Sequence, residues 1–362
     1  MATAHINRIG VAVPPHDIHA SFCRFIADGL TSPKDKHLFN RMAERSGIEH
    51  RFSFFEPLEV NGRIVSDAEG FFTEGAWPST AARMQRFEAS APKLALNAVE
   101  ALGLGDEADR ITHLVLATCT GLMSPGVDQQ IIEAVGLDPG VERTVVGFMG
   151  CHAAVNALRL AHHFVRSEPA ARVLVINLEL CTLHMRRAAN VAEGLMMLLW
   201  GDGCAAALVT ADEGGLALTD FRAAAIPDSR ESITWRIGDA GFEMHLAGDV
   251  PARIARAMRA ERARNDDGGL LRGSSPEDYR HWAVHAGGRT ILEAVEQGLG
   301  LASDCLRTSR NILRDYGNMS SATLMFALDR ILRGERAAGD RGFAVAFGPG
   351  LAAESFRFEV AA

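Results

Sequence analysis

No stretch of this sequence approaches the ~20 consecutive apolar residues of a membrane-spanning helix, so a transmembrane helix is not its organising feature. A surplus of positive charge is also missing. Lys and Arg total 37 against 45 Asp and Glu, a formal charge of −8, which argues against a protein built around a nucleic-acid backbone. Cysteines are few and scattered: Cys23, Cys119, Cys151, Cys181, Cys204 and Cys305, none in a CxxC pair. Neither a zinc ribbon nor a disulfide scaffold is indicated, and for most of them the plain role is a small buried hydrophobe. The opening MATAHINRIGVAVPPHDIH lacks a basic segment followed by an apolar core and a small-residue cleavage site. Reduced thiols and no secretory pattern give the expectation of a cytoplasmic protein.

What is there is ordinary in bulk and informative in order. The 362 residues suffice for one large or two medium domains, and 48% hydrophobic with 23% charged residues suits a globular enzyme. Apolar runs at 112–121, 172–180, 203–212, 214–226, 281–288 and 342–351 read as strands. Helical periodicity is present over 90–104, 152–167 and 287–300. Strands separated by helices of this length predict an α/β protein with crossover connections. The polar, glycine-rich stretch 259–278 reads as an exposed loop.

The two halves resemble each other. A strand reaching Cys119 precedes the helix GCHAAVNALRLA, and a strand reaching His285 precedes the helix GNMSSATLMFAL. The separation of Cys119 from Cys151 is 32 residues and that of His285 from Asn318 is 33. A duplicated βαβ unit explains this and places Cys151 and Asn318 at equivalent helix starts, although two ordinary αβ units could coincide. The seam is expected near ADEGG (211–215), dividing the chain into 1–213 and 214–362.

Three segments each offer one reactive side chain among small residues: GFMGCHAAV with Cys151, HWAVHAGGR with His285 and DYGNMSSAT with Asn318. A helix N-terminus favours a thiolate at Cys151, though a packed thiol fits that segment equally well. An imidazolium at His285 would lower the thiol pKa and donate to a thioester oxygen; alone, a structural histidine is the commoner case. Asn318 alone suits a helix N-cap. Together the three point to condensation. An amide donates a hydrogen bond but takes no proton, so it suits an enolate formed by losing carbon dioxide.

With these segments in view, the sequence resembles a type III polyketide synthase of the chalcone synthase-like group, in the thiolase superfamily. QRFEASAPKLALNAVEALGL, GLMSPGVD, ARVLVINLEL, WGDGCAAALV, HAGGRTIL, YGNMSSAT and AFGPGL match family motifs in order along almost the whole chain. The resemblance implies a five-layered αβαβα thiolase-like fold and a homodimer. It implies Cys151 as the nucleophile, with His285 and Asn318 binding the thioester carbonyl. Acyl-CoA starter and malonyl-CoA are the implied substrates, so coenzyme A arrives as a thioester and no metal or redox cofactor is needed.

Basic positions at the coenzyme A tunnel mouth match Arg41 and Arg45, while a third is replaced by Leu38. Gly287 and Gly288 fall in the histidine motif, and Gly348, Pro349 and Gly350 match the loop shaping the cavity floor. Cys119, Thr120, His184, Trp200, Trp235, Met244 and Ser320 fall at cavity positions. Trp200 and Met244 stand where plant enzymes carry guarding phenylalanines, His184 where they carry threonine and Trp235 where they carry glycine. The indoles should narrow the pocket, which favours a pyrone, resorcinol or polyhydroxyarene over a flavonoid. Rival readings are a single-round ketoacyl-carrier-protein synthase, a cysteine hydrolase using the same side chains, and a noncatalytic paralogue.

Overall fold

Nine strands form one continuous sheet in this computed structural model, which describes residues 2–73 and 75–362. In chain order they are β1 (Ala4–Ala12), β2 (His113–Thr118), β3 (Glu142–Gly147), β4 (Val173–Leu180), β5 (Asp202–Thr210), β6 (Leu216–Ala225), β7 (His281–Val284), β8 (Arg341–Gly348) and β9 (Ala352–Val360). Across the sheet they run β7-β8-β9-β6-β1-β5-β4-β2-β3. The first five therefore lie as third, second, fourth, fifth, first. The last four follow the same order without a third strand. The senses repeat too. β2 and β4 are parallel, as are β7 and β8; the next two pairings, β4–β5 and β5–β1, are antiparallel, as are β8–β9 and β9–β6. The two sets join where Ala4, His5 and Ile6 pair with Leu218, Ala217 and Leu216.

Burial divides the molecule into layers. Helices Ala153–Ser167 and Ala322–Arg333 share one core with Val115, Val175 and Ala207 on one side and Ala283, Ala346 and Phe356 on the other. They lie between the two sets of strands. On the outer face of the first set, helix Thr80–Leu102 packs Leu94 and Val99 against Leu114 and Ile176. On the outer face of the second, helices Val250–Arg262 and Arg289–Leu299 pack Ile254 and Val295 against Val284 and Val345. Helix, sheet, helix, sheet, helix is the five-layered architecture expected.

The sequence explains the central layer. All eight residues of β4, VLVINLEL, are buried, as a strand covered on both faces must be. Ala153, Ala154, Ala157 and Ala161 let their helix approach the strands closely, and ALMF-type residues surround its neighbour on nearly every side. Two expectations need adjustment. The helix expected from residue 90 begins at Thr80, where the Ser79 side chain accepts from the Ala82 N–H. The stretch 259–278 is not simply an exposed loop: helix Val250–Arg262 runs into it, and Leu270 and Leu271 are buried.

Candidate active site

After β3 the chain reverses sharply into the Ala153–Ser167 helix, and Cys151 occupies that turn. Phe148 and Gly150 both have left-handed backbone, with φ of 59° and 81°. A side chain at Gly150 would stand 2.2 Å from Pro349 Cδ, so only glycine lets this turn meet the loop from the other half. The Gly150 N–H donates to Cys119 Sγ at 2.9 Å. Cys119, expected as cavity wall, thus also pins the turn that presents Cys151.

His285 follows β7 directly, its N–H donating to Val345 O at 2.9 Å. The residue is 2% exposed, and neither ring nitrogen has a hydrogen-bond partner among the described residues. Asn318 is equally buried but fully oriented. Its main-chain N–H donates to Leu199 O at 2.7 Å, its Oδ1 accepts from Ser320 N at 2.9 Å and its Nδ2 donates to Gly287 O at 3.2 Å. With Oδ1 engaged by Ser320, the amide must present nitrogen to the remaining side, and one Nδ2 hydrogen is left over. Asn318 is not the N-cap of the following helix: that position falls at Ser321, whose hydroxyl bonds Glu179 instead of the helix backbone. Nor do the contacts fit a peptidase set, where the amide would orient the imidazole.

One cavity holds all three side chains. Cys151, His285 and Asn318 line it with Trp200, Met244 and Phe347. Gly287 and Gly348 lie on its wall. A second, smaller space adjoins Cys151 and is walled by Cys119, Thr120, Trp235, Ser320 and Pro349. A third lies beyond Trp200, Trp235 and Met244 and is walled by His184, Met185 and Phe242. Trp200 and Met244 line all three, so these two side chains partition them. A separate apolar groove between Phe22, Phe25, Phe55 and Trp77 holds none of the three reactive side chains.

The partition is held by hydrogen bonds. Trp235 Nε1 donates to Cys119 O at 2.8 Å, and His184 stacks on Phe242 with ring centroids 4.1 Å apart. His184 Nε2 donates to Thr120 O at 2.7 Å while Nδ1 accepts from Phe242 N at 2.9 Å. That tautomer is neutral, and burial pushes the imidazole pKa down to about 3. Of the other sequence candidates, Gly288 and Gly350 lie in the flanking turns, while Arg41 and Arg45 are exposed on helix Pro33–Arg45 outside the cavity.

Burial dominates the electrostatics. It pushes the Cys151 thiol up to about 12, opposed by a hydrogen bond from Ser320 and reinforced by Glu179. It pushes His285 down to about 3, with His152 adding in the same direction. Burial thus disfavours charge on either group taken alone, so an imidazolium beside the thiol would need a partner anion, the thiolate or a developing oxyanion, to offset the cost. A neutral imidazole offers one donor and one acceptor, so it can take the thiol proton or hold a carbonyl oxygen.

Glu179 escaped the sequence argument. It is fully buried in β4, where its carboxylate accepts from Cys119 N and Thr120 Oγ1 at 3.0 Å and from Ser321 Oγ at 2.6 Å. It ties the loop before the cavity to the helix start after Asn318. A lone acid in a mostly apolar strand, whose other polar residue is Asn177, was the available signal.

The layered fold, with a thiol, an imidazole and an amide around one buried cavity, defines a thiolase-like condensing enzyme. The chain belongs to the chalcone and stilbene synthase family, the type III polyketide synthases: the family's N-terminal domain matches residues 2–213 and its C-terminal domain residues 218–360. Bisdemethoxycurcumin synthase of Oryza sativa subsp. japonica is 35% identical, over 97% of this chain and 91% of its own. The alpha-pyrone synthesis polyketide synthase-like Pks18 of Mycobacterium tuberculosis is 30% identical, over 92% and 85%. The crystal structure of 1,3,6,8-tetrahydroxynaphthalene synthase from Streptomyces coelicolor A3(2) superposes with a TM-score of 0.84 at 26% identity, covering 99% of each chain. Among the described residues no helix is long and apolar enough to cross a membrane.

Proposed function

We propose that Cys151 carries the starter and the growing chain as a thioester, while His285 and Asn318 hold the thioester oxygen of malonyl-CoA. The half 1–213 supplies the nucleophile and 214–362 the two donors. In each round the malonyl carboxylate leaves as carbon dioxide, and its bonding pair becomes the enolate of the coenzyme A thioester. The enolate carbon attacks the acyl carbonyl on Cys151. Collapse of the tetrahedral adduct releases the Cys151 sulfur and leaves a chain two carbons longer on coenzyme A. Transfer back to Cys151, with release of free coenzyme A, permits the next round, and cyclisation ends the sequence.

The observation that carries this reading is the pairing of an unpartnered buried imidazole with an amide whose spare hydrogen is already oriented, both in the cavity of Cys151. Preformed donors of this kind act where charge develops, without reorganisation. The test is product analysis by mass spectrometry over acyl-CoA starters with malonyl-CoA. Cys151→Ala should form no condensed product. Asn318→Ala should slow malonyl decarboxylation by roughly 10²–10³ while acyl loading of Cys151 falls much less, as for loss of one oxyanion donor. Equal loss of both steps would refute the division of labour.

Coenzyme A is supported by the mouth of the site and by the solved structure of CsyB with CoA-SH. Arg41 and Arg45 lie one helical turn apart, and neither has an ion pair or side-chain hydrogen bond among the described residues. Their guanidinium groups suit phosphate. For the starter we infer a malonyl or fatty acyl group, giving a pyrone, resorcinol or polyhydroxyarene. The indoles of Trp200 and Trp235 fill the floor, and pyrone- and tetrahydroxynaphthalene-forming proteins are among the relatives. A homodimer is favoured by the unpaired sheet edge β3, on which Val145 is 50% exposed, and by the exposed apolar side chains of Leu122 and Met149 in the loops after β2 and β3. A cytoplasmic location is favoured by six unpaired cysteines.

A further inference from the structure

Arg51 lines none of the cavities beside Cys151, yet it is fully buried and forms no ion pair with a carboxylate among the described residues. A buried cation is costly unless it is well bonded, so what it holds is informative. It holds the end of helix Val191–Leu198. Nη1 donates to Trp200 O at 2.7 Å and to Met197 O at 3.3 Å, carbonyls at the helix terminus where partial negative charge accumulates. Nε donates to His19 Nδ1 at 3.1 Å, and the guanidinium carbon stands 4.5 Å from the centroid of the Phe22 ring. Burial lowers the guanidinium pKa only to about 10, so it stays charged at neutral pH. We propose that Arg51 is a positioning residue for the amide of Asn318, acting through the main chain of Trp200. The inference rests on the reading of Asn318 as a donor to the malonyl-derived enolate.

The link between them is short. Trp200 and Asn318 form a parallel bridge, in which Asn318 N donates to Leu199 O at 2.7 Å and Gly201 N donates to Asn318 O at 3.0 Å. The main chain of Asn318 is thus held by the two neighbours of Trp200, and Trp200 O is held by Arg51. The stem of Arg51 packs against both partners of the bridge. A side chain at Gly317, just before Asn318, would begin 2.8 Å from Arg51 Cγ, and one at Gly201, just after Trp200, 3.5 Å from Arg51 Cβ. With φ of 69° as well, Gly317 has room for no other residue. Ser320 N and Gly287 O set the rotation of the Asn318 amide, whereas the bridge to Trp200 sets where its main chain stands. Without Arg51, Trp200 O loses its donor and the space against Gly317 empties, so the bridge is free to shift and the spare Nδ2 hydrogen moves with it.

The test separates the two half-reactions. Decarboxylation is followed as acetyl-CoA formed from malonyl-CoA without a starter, and loading as the mass of the acylated protein. Both are measured for the wild type, Arg51→Met, Arg51→Lys, Asn318→Ala and the double variant Arg51→Met with Asn318→Ala. Arg51→Met should slow decarboxylation roughly 10–100-fold, as for a reacting group displaced by about 1 Å, while loading changes little. Arg51→Lys should recover part of the rate, because an ammonium still donates to Trp200 O. In the Asn318→Ala background, Arg51→Met should cost nothing further, since the group it positions is gone. A merely structural role gives the opposite pattern: both half-reactions fall together, and the two substitutions multiply. If Arg51→Met does not fold, the deciding variant is His19→Phe at a partly exposed position. It removes the acceptor of Arg51 Nε and should slow decarboxylation by a smaller factor. An unchanged rate in the folded deciding variant, equal loss of both half-reactions, or multiplied losses in the double variant would overturn the proposal. If Asn318→Ala alone leaves decarboxylation intact, the donor reading of Asn318 fails instead.

Discussion

Truncating Trp235 to alanine should lengthen the product without unfolding the protein. The indole stands between the space beside Cys151 and the one beyond it, and contributes to the wall of both. Its removal would join the space beside the nucleophile to the one lined by His184, Met185 and Phe242. The structural loss is bounded. The hydrogen bond to Cys119 O disappears, worth about 1 kcal/mol net. Edge contacts with His184 and Phe242, at centroid distances of 5.5 and 5.9 Å, disappear as well. A Trp→Ala change in a closed core costs about 3–5 kcal/mol, and the half-buried position of Trp235 reduces this to about 2–3 kcal/mol. That is below the ~5–15 kcal/mol by which a domain is stable, so the variant should fold with Tm lowered by about 3–4 °C.

Chromatography with mass detection, run with one starter on both proteins, should then show products extended by at least one further malonyl-derived unit in the variant. An unchanged product length, in a variant that is folded and shows the expected fall in Tm, would refute the partition. The indole would then be packing alone, and chain length would be set at Trp200 and Met244 or by the cyclisation step.

Two further outcomes follow from the same geometry. His184 is held neutral in the folded protein, with its pKa lowered from 6.5 to about 3, so the unfolded chain takes up a proton that the folded chain refuses. Its contribution is therefore present above pH 6.5 and lost on acidification, at about 1.4 kcal/mol per pH unit toward pH 3; the stability gap between wild type and His184→Gln in urea should narrow as pH falls, and a constant gap would refute the assignment. For the edge strand, Val145→Arg should shift the sedimenting mass toward the 39.0 kDa of one chain, and an unchanged dimer would place the interface elsewhere.

Much of the fold was legible because its strands are buried on both faces. Runs such as VLVINLEL at Val173–Leu180 and GFAVAFG within Arg341–Gly348 stand out as continuous apolar segments, and their alternation with helices specifies the class. The strand Glu142–Gly147 was not legible, because an edge strand with Glu142 and Arg143 exposed carries no such run. The hairpin Ile233–Gly238 with Gly241–Leu246 was missed for the same reason, although Trp235 and Met244 on it were identified from their positions in the family. Cys151, His285 and Asn318 could be found because each sits in a small-residue segment of unusual composition. What sequence could not supply is orientation: that Asn318 turns its nitrogen outward depends on Ser320 N and Gly287 O.

The way the two halves meet explains why this chemistry needs both. The turn bearing Cys151 is pinned by Cys119 from its own half and abuts Pro349 from the other. Glu179 in β4 holds both Thr120 and Ser321, so the loop beside the nucleophile and the helix start beside the donors share one carboxylate. A relative shift of the halves would separate sulfur from the oxyanion donors and break these contacts together. Burial of the site has a chemical consequence as well. An enolate in water is protonated quickly, whereas in an apolar cavity the same two donors are stronger and competing protons are absent. The environment that pushes Cys151 up and His285 down therefore opposes isolated charges in the resting site, and favours charge only when it develops between substrate and preoriented donors.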